Sequence, residues 1–182
     1  MKKSILTLLF FAAFGSSQIY AQQKLITRTG NVSFLSETPM ENIEAKSSQA
    51  ASIFEVSKKV IAFNVLMKSF KFEKALMEEH FNEKYVHSDK YPAAKFKGTY
   101  DVEIDLNTPK KYEDVIITGT MHFHGVSKPM TVTADIEVLE NKTMQLMSDF
   151  KIVLSEYNIE VPSLVKDKIA SDIAVNLVAN YK

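Results

Sequence analysis

Val115-Ile116-Ile117-Thr118-Gly119-Thr120-Met121-His122-Phe123-His124-Gly125-Val126-Ser127-Lys128-Pro129-Met130-Thr131-Val132-Thr133-Ala134-Asp135-Ile136-Glu137-Val138 is the stretch whose reading decides the fold. Its first half is rich in β-branched and aromatic residues, and Thr131 to Val138 alternates with period two, so each half reads as a strand. A tight corner at Gly125 to Lys128 is predicted to join them into an antiparallel hairpin. Met121 and Phe123 then share one face, and His122 and His124 share the other.

More strands lie on both sides of this hairpin. Downstream, the pattern predicts strands over 142–154 and 169–181, the second preceded by Pro162-Ser163, where Ser163 can cap a single helical turn. Upstream, Pro92 precedes a strand over 93–106, and Val60-Ile61-Ala62-Phe63-Asn64-Val65-Leu66-Met67 forms a third strand from the start. Residues 43–56 resume a β pattern after Pro39, and 25–36 reads as one long strand bent at Gly30. Between 60–67 and 93–106 the period changes. Phe72, Leu76, Met77 and Phe81 fall at helical spacing, which predicts a short amphipathic helix over one mouth of the sheet, followed by a polar loop from Asn82 to Tyr91. The sum is an all-β chain of eight long strands joined mostly by tight turns, an antiparallel up-and-down barrel with one short helix between strands 3 and 4.

The first residues read as an address. Met1-Lys2-Lys3 is a positive n-region, Ile5 to Phe14 an apolar h-region, and Ile19-Tyr20-Ala21 a cleavage site, so residues 1–21 are expected to be a removed signal peptide. The apolar run is shorter than the roughly 20 residues a spanning helix needs. The mature chain, 22–182, is then one domain, not membrane-spanning, periplasmic or secreted. There is no Cys, so no disulfide framework or lipid-modified N-terminal cysteine is available. Losing Lys2 and Lys3 turns 22 basic and 22 acidic side chains into 20 and 22, and Arg28 is the single arginine. A chain so charged has no basic, Arg-rich face, and nucleic acid is not an expected partner.

A barrel of eight strands is just wide enough to be filled by its own side chains or to hold one slender ligand. The inward candidates are apolar: Phe63, Val65, Met67, Phe96, Met121, Phe123 and Phe150, with Ile104, Val132, Ile136, Met144, Leu146, Ile152, Val175 and Leu177 alongside. They suit an ordinary packed core and a dry tube for a hydrocarbon chain equally, and composition alone leaves the two open.

Three blocks carry a resemblance. Met77-Glu78-Glu79-His80-Phe81-Asn82-Glu83-Lys84-Tyr85, Lys90-Tyr91-Pro92-Ala93-Ala94-Lys95-Phe96-Lys97-Gly98 and Gly119-Thr120-Met121-His122-Phe123-His124-Gly125-Val126-Ser127-Lys128-Pro129 resemble blocks of the YceI-like family, exported bacterial proteins with a lipocalin-like barrel that hold polyisoprenoid or other long-chain lipids. The likeness runs in order over essentially the whole mature chain. It implies an elongated eight-stranded barrel enclosing an apolar tube, and hence a carrier of an isoprenoid or other long-chain lipid. Thr120 replaces the usual acidic residue after Gly119, and 155–162 lacks the Arg-containing motif that many members carry near the C terminus. These departures leave the fold as implied and the identity of the lipid open.

No stretch has the spacing of a catalytic apparatus: the serines form no Gly-x-Ser-x-Gly elbow and the glycines no phosphate-cradling loop. His122 and His124, at i and i+2, are read as outward-facing surface residues, and His80 beside Glu78 and Glu79 lacks zinc-protease spacing. No catalytic residue, metal ligand or cofactor is assigned, and the expectation is a protein that is not an enzyme. A metal protein or enzyme built on the histidines is the competing class, and an exported barrel with a filled core is the third. Lys68, Lys71 and Lys74, where the third strand gives way to the helix, are the candidates to meet an anionic headgroup. Monomer and homodimer remain equally compatible with the sequence.

Overall fold

Period-two alternation carries the chain through nine strands: β1 (Lys24–Glu37), β2 (Asn42–Glu55), β3 (Val60–Leu66), β4 (Lys71–Phe72), β5 (Ala93–Tyr100), β6 (Lys110–Phe123), β7 (Val126–Val138), β8 (Met144–Val153) and β9 (Asp172–Tyr181). The computed structural model describes residues 24–182, so the expected leader and its cleavage point lie outside the described residues. All pairings are antiparallel, and the sheet runs β1-β9-β8-β7-β6-β5-β3-β2 before β2 pairs back with β1. This is the expected closed, eight-stranded up-and-down barrel, although β7 and β8 pair only over Asp135–Val138 and Met144–Met147 and are unpaired with each other beyond that seam. The two-residue β4 stands apart from the ring and pairs with Ala45 and Lys46 of β2.

The β6–β7 hairpin runs from Phe123↔Val126 out to Lys110↔Val138. Its turn is His124-Gly125 alone, with φ of +49° and +78°, the left-handed pair whose twist matches the flanking strands. The corner predicted over Gly125 to Lys128 is therefore shorter and begins one residue earlier, and Val126–Lys128 are already strand. β1 is a single strand with register shifts on either side of Gly30, so the bend expected there is a bulge.

Strand β5 ends at Tyr100 instead of 106. The Asp105 carboxylate accepts hydrogen bonds from the Asn107 N–H and the Thr108 hydroxyl, both 2.9 Å, and this polar turn lifts the chain out of the sheet while Ile104 and Leu106 stay buried. The helix α1 (Ala75–His80) is shorter than the predicted 72–81, because Phe72 is taken by β4 and the chain widens after His80 into a π-helical turn, Phe81–Tyr85. Phe34 of β1 holds this excursion down: its ring lies 5.3, 5.7 and 5.4 Å from those of Phe70, Phe72 and Phe81. At the base of the excursion the buried Ser47 hydroxyl meets that of Ser69 at 2.7 Å, which explains the polar middle of β2.

Up-and-down order sorts the connections between the two ends. Residues 56–59, 101–109 and 139–143 lie at one end; residues 38–41, 67–92, His124-Gly125 and 154–171 lie at the other. The first end is solid. Phe54 stacks on Tyr100 at 4.6 Å and meets Tyr181 edge-on at 5.8 Å, and Ile61, Val115, Ile136, Val138, Met144 and Leu146 pack around them with 0–1% of their surface exposed. Burial pushes the Tyr100 and Tyr181 phenols well above the ordinary tyrosine value. The other end is hollow, so filled core and tube, which composition left as alternatives, each hold for one half of the barrel.

Candidate functional site

The hollow half is built by the upper turns of the strands. Inward positions at i, i+2 and i+4 place Phe63 and Val65 on β3, Ala94 and Phe96 on β5, Ile117, Met121 and Phe123 on β6, Met130 and Val132 on β7, Phe150 and Ile152 on β8, and Val32 and Phe34 on β1 around one space. Register brings the large ones together: Phe96 sits opposite Phe63 on one side and Met121 on the other, and Phe150 opposite Val175. The cavity measures about 540 Å³, within the range of small-molecule sites.

Two glycines shape the wall. Gly98 and Gly119 face each other across β5 and β6. A Cβ on Gly98 would stand 2.8 Å from Cζ of Phe96, and one on Gly119 2.7 Å from the same atom and closer still to the Lys97 carbonyl oxygen. The Phe96 ring therefore lies against a bare backbone patch, which keeps it on the wall beside the cavity.

Chemistry inside is segregated by depth. The strands contribute hydrocarbon apart from two hydroxyls, both engaged: Ser148 donates to the Thr133 carbonyl at 2.6 Å, and Ser36 accepts the Ala170 N–H at 2.8 Å. The charged and titratable lining groups, Glu41, Lys74, His80, Tyr85 and Lys168, all stand on the connections at the open end. Around that mouth Met40, Leu76 and Leu164 project outward with 68%, 61% and 95% of their surface exposed. The arrangement is a pocket that is closed and apolar at depth, polar and partly apolar at the rim.

All seven residues expected on the wall, Phe63, Val65, Met67, Phe96, Met121, Phe123 and Phe150, line the cavity. Among the three lysines only Lys74 does, 3.8 Å from Glu41, while Lys68 pairs with Asp89 and Lys71 with Glu78 at 2.6 Å. The Lys71 ammonium, with help from the Phe72 N–H, holds the Glu78 carboxyl below its usual range. Sequence reasoning missed Phe34, whose alternation with Val32 and Ser36 was a readable signal. It also missed Lys168, which lies in a connection without period.

The histidines divide differently from the expectation. His122 is exposed, and its Nδ1 meets the Ser127 hydroxyl at 2.8 Å. His124 is buried, because alternation stops at Phe123 and the turn swings its ring inward under the neighbouring loops. Its Nδ1 lies 2.8 Å from the Tyr157 carbonyl oxygen, which only accepts, so Nδ1 carries the proton. In the neutral ring Nε2 then accepts from His87 Nδ1 at 3.0 Å, and the edge of Tyr91 packs against the ring at 4.6 Å. His124 thus ties the 82–91 loop, the hairpin turn and the 154–157 turn to one another. Among the described residues, no group of three or more His, Asp or Glu side chains is placed to hold a metal ion, and no helix is long and apolar enough to cross a membrane.

A closed antiparallel barrel, solid at one end and hollow and apolar at the other, defines the class of small ligand-enclosing barrels. Within that class the chain belongs to the YceI-like family, whose domain profile matches residues 17–181. A polyisoprenoid binding domain from Saccharophagus degradans implicated in plant cell wall breakdown has a similar structure, with a TM-score of 0.74 at 13% identity over 88% of this chain and 98% of that one. BcnA of Burkholderia cenocepacia follows at 0.65 and 16% identity over 84% and 96%, and the YceI protein of Campylobacter jejuni at 0.61 and 18% over 79% and 86%. No curated protein sequence matches the chain.

Proposed function

We propose that this protein is an exported, non-enzymatic binding protein that carries a polyisoprenoid or another long-chain lipid, with the hydrocarbon inside the barrel and the polar head at the mouth. The carrying observation is the segregation of the cavity: deep surfaces offer hydrocarbon and already satisfied hydroxyls, and every lining charge stands at the open end. A buried chain gains about 0.8 kcal/mol per methylene, so affinity rests on the apolar wall. The polyisoprenoid class draws support from the Saccharophagus degradans domain, described as polyisoprenoid binding, and export from the signal-peptide pattern of residues 1–21. At the rim, Lys74 and Lys168 are placed to meet an anionic head, and the exposed Met40, Leu76 and Leu164 offer an apolar approach to the opening. The histidine-based alternative has no observation behind it, since His124 is committed to Tyr157 and His87, and His122 to Ser127.

The test is the lipid that copurifies per mole of folded protein from the native host, measured by mass spectrometry of an organic extract. Wild type and Phe123→Leu are expected to retain lipid. Phe123→Asp places a charge on the hydrocarbon wall at a desolvation cost of several kcal/mol and is expected to lose it. Lipid retained by a folded Phe123→Asp barrel, or a wild-type protein that binds none, would sink this reading.

A further inference from the structure

We infer that the gap between β7 and β8 is a side port of the lipid cavity: a hydrocarbon chain enters and leaves there across the barrel wall while its head stays at the mouth, a role that rests on the lipid-binding reading and adds a route to it. Beyond their last shared pair, Asp135↔Met147, both strands run on toward the mouth without pairing to each other. Each keeps its other neighbour throughout. β7 is laddered to β6 as far as Phe123↔Val126, and β8 to β9 as far as Val153↔Asp172. Both strands are therefore intact and only their facing edges are free, from Pro129 to Thr133 and from Asp149 to Val153, about 16 Å of wall.

Side chains close this gap at its two ends. At the lower end the Ser148 hydroxyl donates to the Thr133 carbonyl at 2.6 Å. At the upper end the Lys128 ammonium lies 3.4 Å from the Glu156 carboxylate, and His124 Nδ1 donates to the Tyr157 carbonyl at 2.8 Å, so the head of the hairpin is clasped to the turn that leaves β8. Between the clasps, Met130, Val132 and Phe150 line both the lipid cavity and a hollow on the outer face of the gap. The wall here is one layer of side chains with no backbone ladder across it. A chain crossing through a ladder has to part backbone hydrogen bonds that are costly to leave unmade; here it needs only rotation of a flexible Met and a Phe. Hydrocarbon fits this passage, because its inner side is apolar and Ile116, beside it on β6 and 47% exposed, continues the apolar surface outside. Below the gap the barrel is shut by a floor of Phe54 and Tyr181, locked by the Tyr181 and Ser52 hydroxyls at 2.7 Å.

The chain has no Cys, so introduced thiols are unique. Thr131→Cys with Lys151→Cys puts a pair on the outward sides of the gap, to be bridged by a short, reducible bis-methanethiosulfonate; Thr118→Cys with Thr131→Cys, opposite each other in the intact β6–β7 ladder, is the control. Uptake and release of parinaric acid as the probe are followed on the delipidated full chain by stopped-flow fluorescence. The bridge across the gap is expected to slow both by about tenfold or more and reduction to restore them, while the control bridge changes them by less than about twofold. Lys128→Ala, which opens the upper clasp, should speed both. A second measurement needs no bridge: the thiol of Val132→Cys, at the gap, should react with a charged, water-soluble methanethiosulfonate about tenfold faster than that of Phe63→Cys, on β3 across the barrel from β8. Should the bridged variant fail to fold, the thiol comparison and the Lys128→Ala rates decide. Exchange that ignores the gap bridge, a control bridge that slows it equally, or a Val132→Cys thiol no more reactive than Phe63→Cys would each overturn the side port while leaving the lipid reading intact. A wild-type chain that takes up no parinaric acid would count against both.

Discussion

The locked floor gives a sharp prediction about Ser52 and Tyr181. Both are buried, with 2% and 1% of their surface exposed, and three groups lie in line: the Tyr181 hydroxyl 2.7 Å from the Ser52 oxygen, and the Ser52 oxygen 2.9 Å from the Ala62 carbonyl. The carbonyl only accepts, so the Ser52 proton goes to Ala62 and Tyr181 donates to Ser52. Tyr181→Phe removes the terminal donor and leaves Ser52 bonded, at a cost of about 1 kcal/mol. Ser52→Ala instead strands a buried phenol hydroxyl with no acceptor, and loses the bond to Ala62 too, for about 2–3 kcal/mol. The double variant has no stranded group and should cost about as much as Tyr181→Phe plus the Ala62 bond, so the two changes couple by about 1 kcal/mol. In a chain of this size each kcal/mol lowers Tm by roughly 2–4 °C, so of two single-oxygen deletions Ser52→Ala should produce the larger drop. Urea unfolding and calorimetry on the four proteins of the cycle provide the measurement. Equal single-variant costs, or additivity within about 0.5 kcal/mol, would refute the donor order and the idea that the floor is held by this line of bonds.

Other sites give independent expectations. Gly119→Ala places a Cβ against the Lys97 carbonyl and the Phe96 ring, and should lower stability by about 1–3 kcal/mol in chemical denaturation while displacing Phe96 into the cavity and weakening probe binding. His124→Asn keeps a residue that tolerates positive φ but is too short to reach the Tyr157 carbonyl, and should cost about 1–2 kcal/mol with faster hydrogen exchange in 82–91 and 154–158; unchanged exchange there would contradict the tying role. The Asp114 N–H, then the Lys111 ammonium, hold the Asp135 carboxyl below its ordinary range. A carboxyl depressed in the folded state stabilises above its unfolded value near pH 4, and that contribution is lost as the pH falls through the folded value. The stability difference between wild type and Asp135→Asn should therefore shrink in acid, and a pH-independent difference would argue against the interaction.

Much of this architecture was legible before any coordinates. The alternation of Val115 to Val138, the bend at Gly30 and the change of period at Phe72 to Phe81 are local patterns, and a two-residue period assigns Phe63, Val65, Phe96, Met121, Phe123 and Phe150 to one face of their strands without knowledge of the partners. Eight such strands close because an exposed edge leaves backbone groups unpaired. What the alternation could not carry is depth along the barrel axis. An inward Leu146 and an inward Phe150 look alike in sequence, yet one belongs to the floor and the other to the wall of the hollow half, because pairing register sets their height and aromatic packing of Phe54, Tyr100 and Tyr181 fills one end alone. The same holds for His124, whose side chain left the outward face when Gly125 admitted a two-residue left-handed turn, and for Lys168, brought to the mouth by a connection tied through Ala170 to Ser36, 134 positions away. Period fixes which face a side chain takes, because it is a property of the strand itself; how deep it lies, and whether it meets a neighbour or an opening, depends on segments distant in sequence whose meeting only the closed barrel determines.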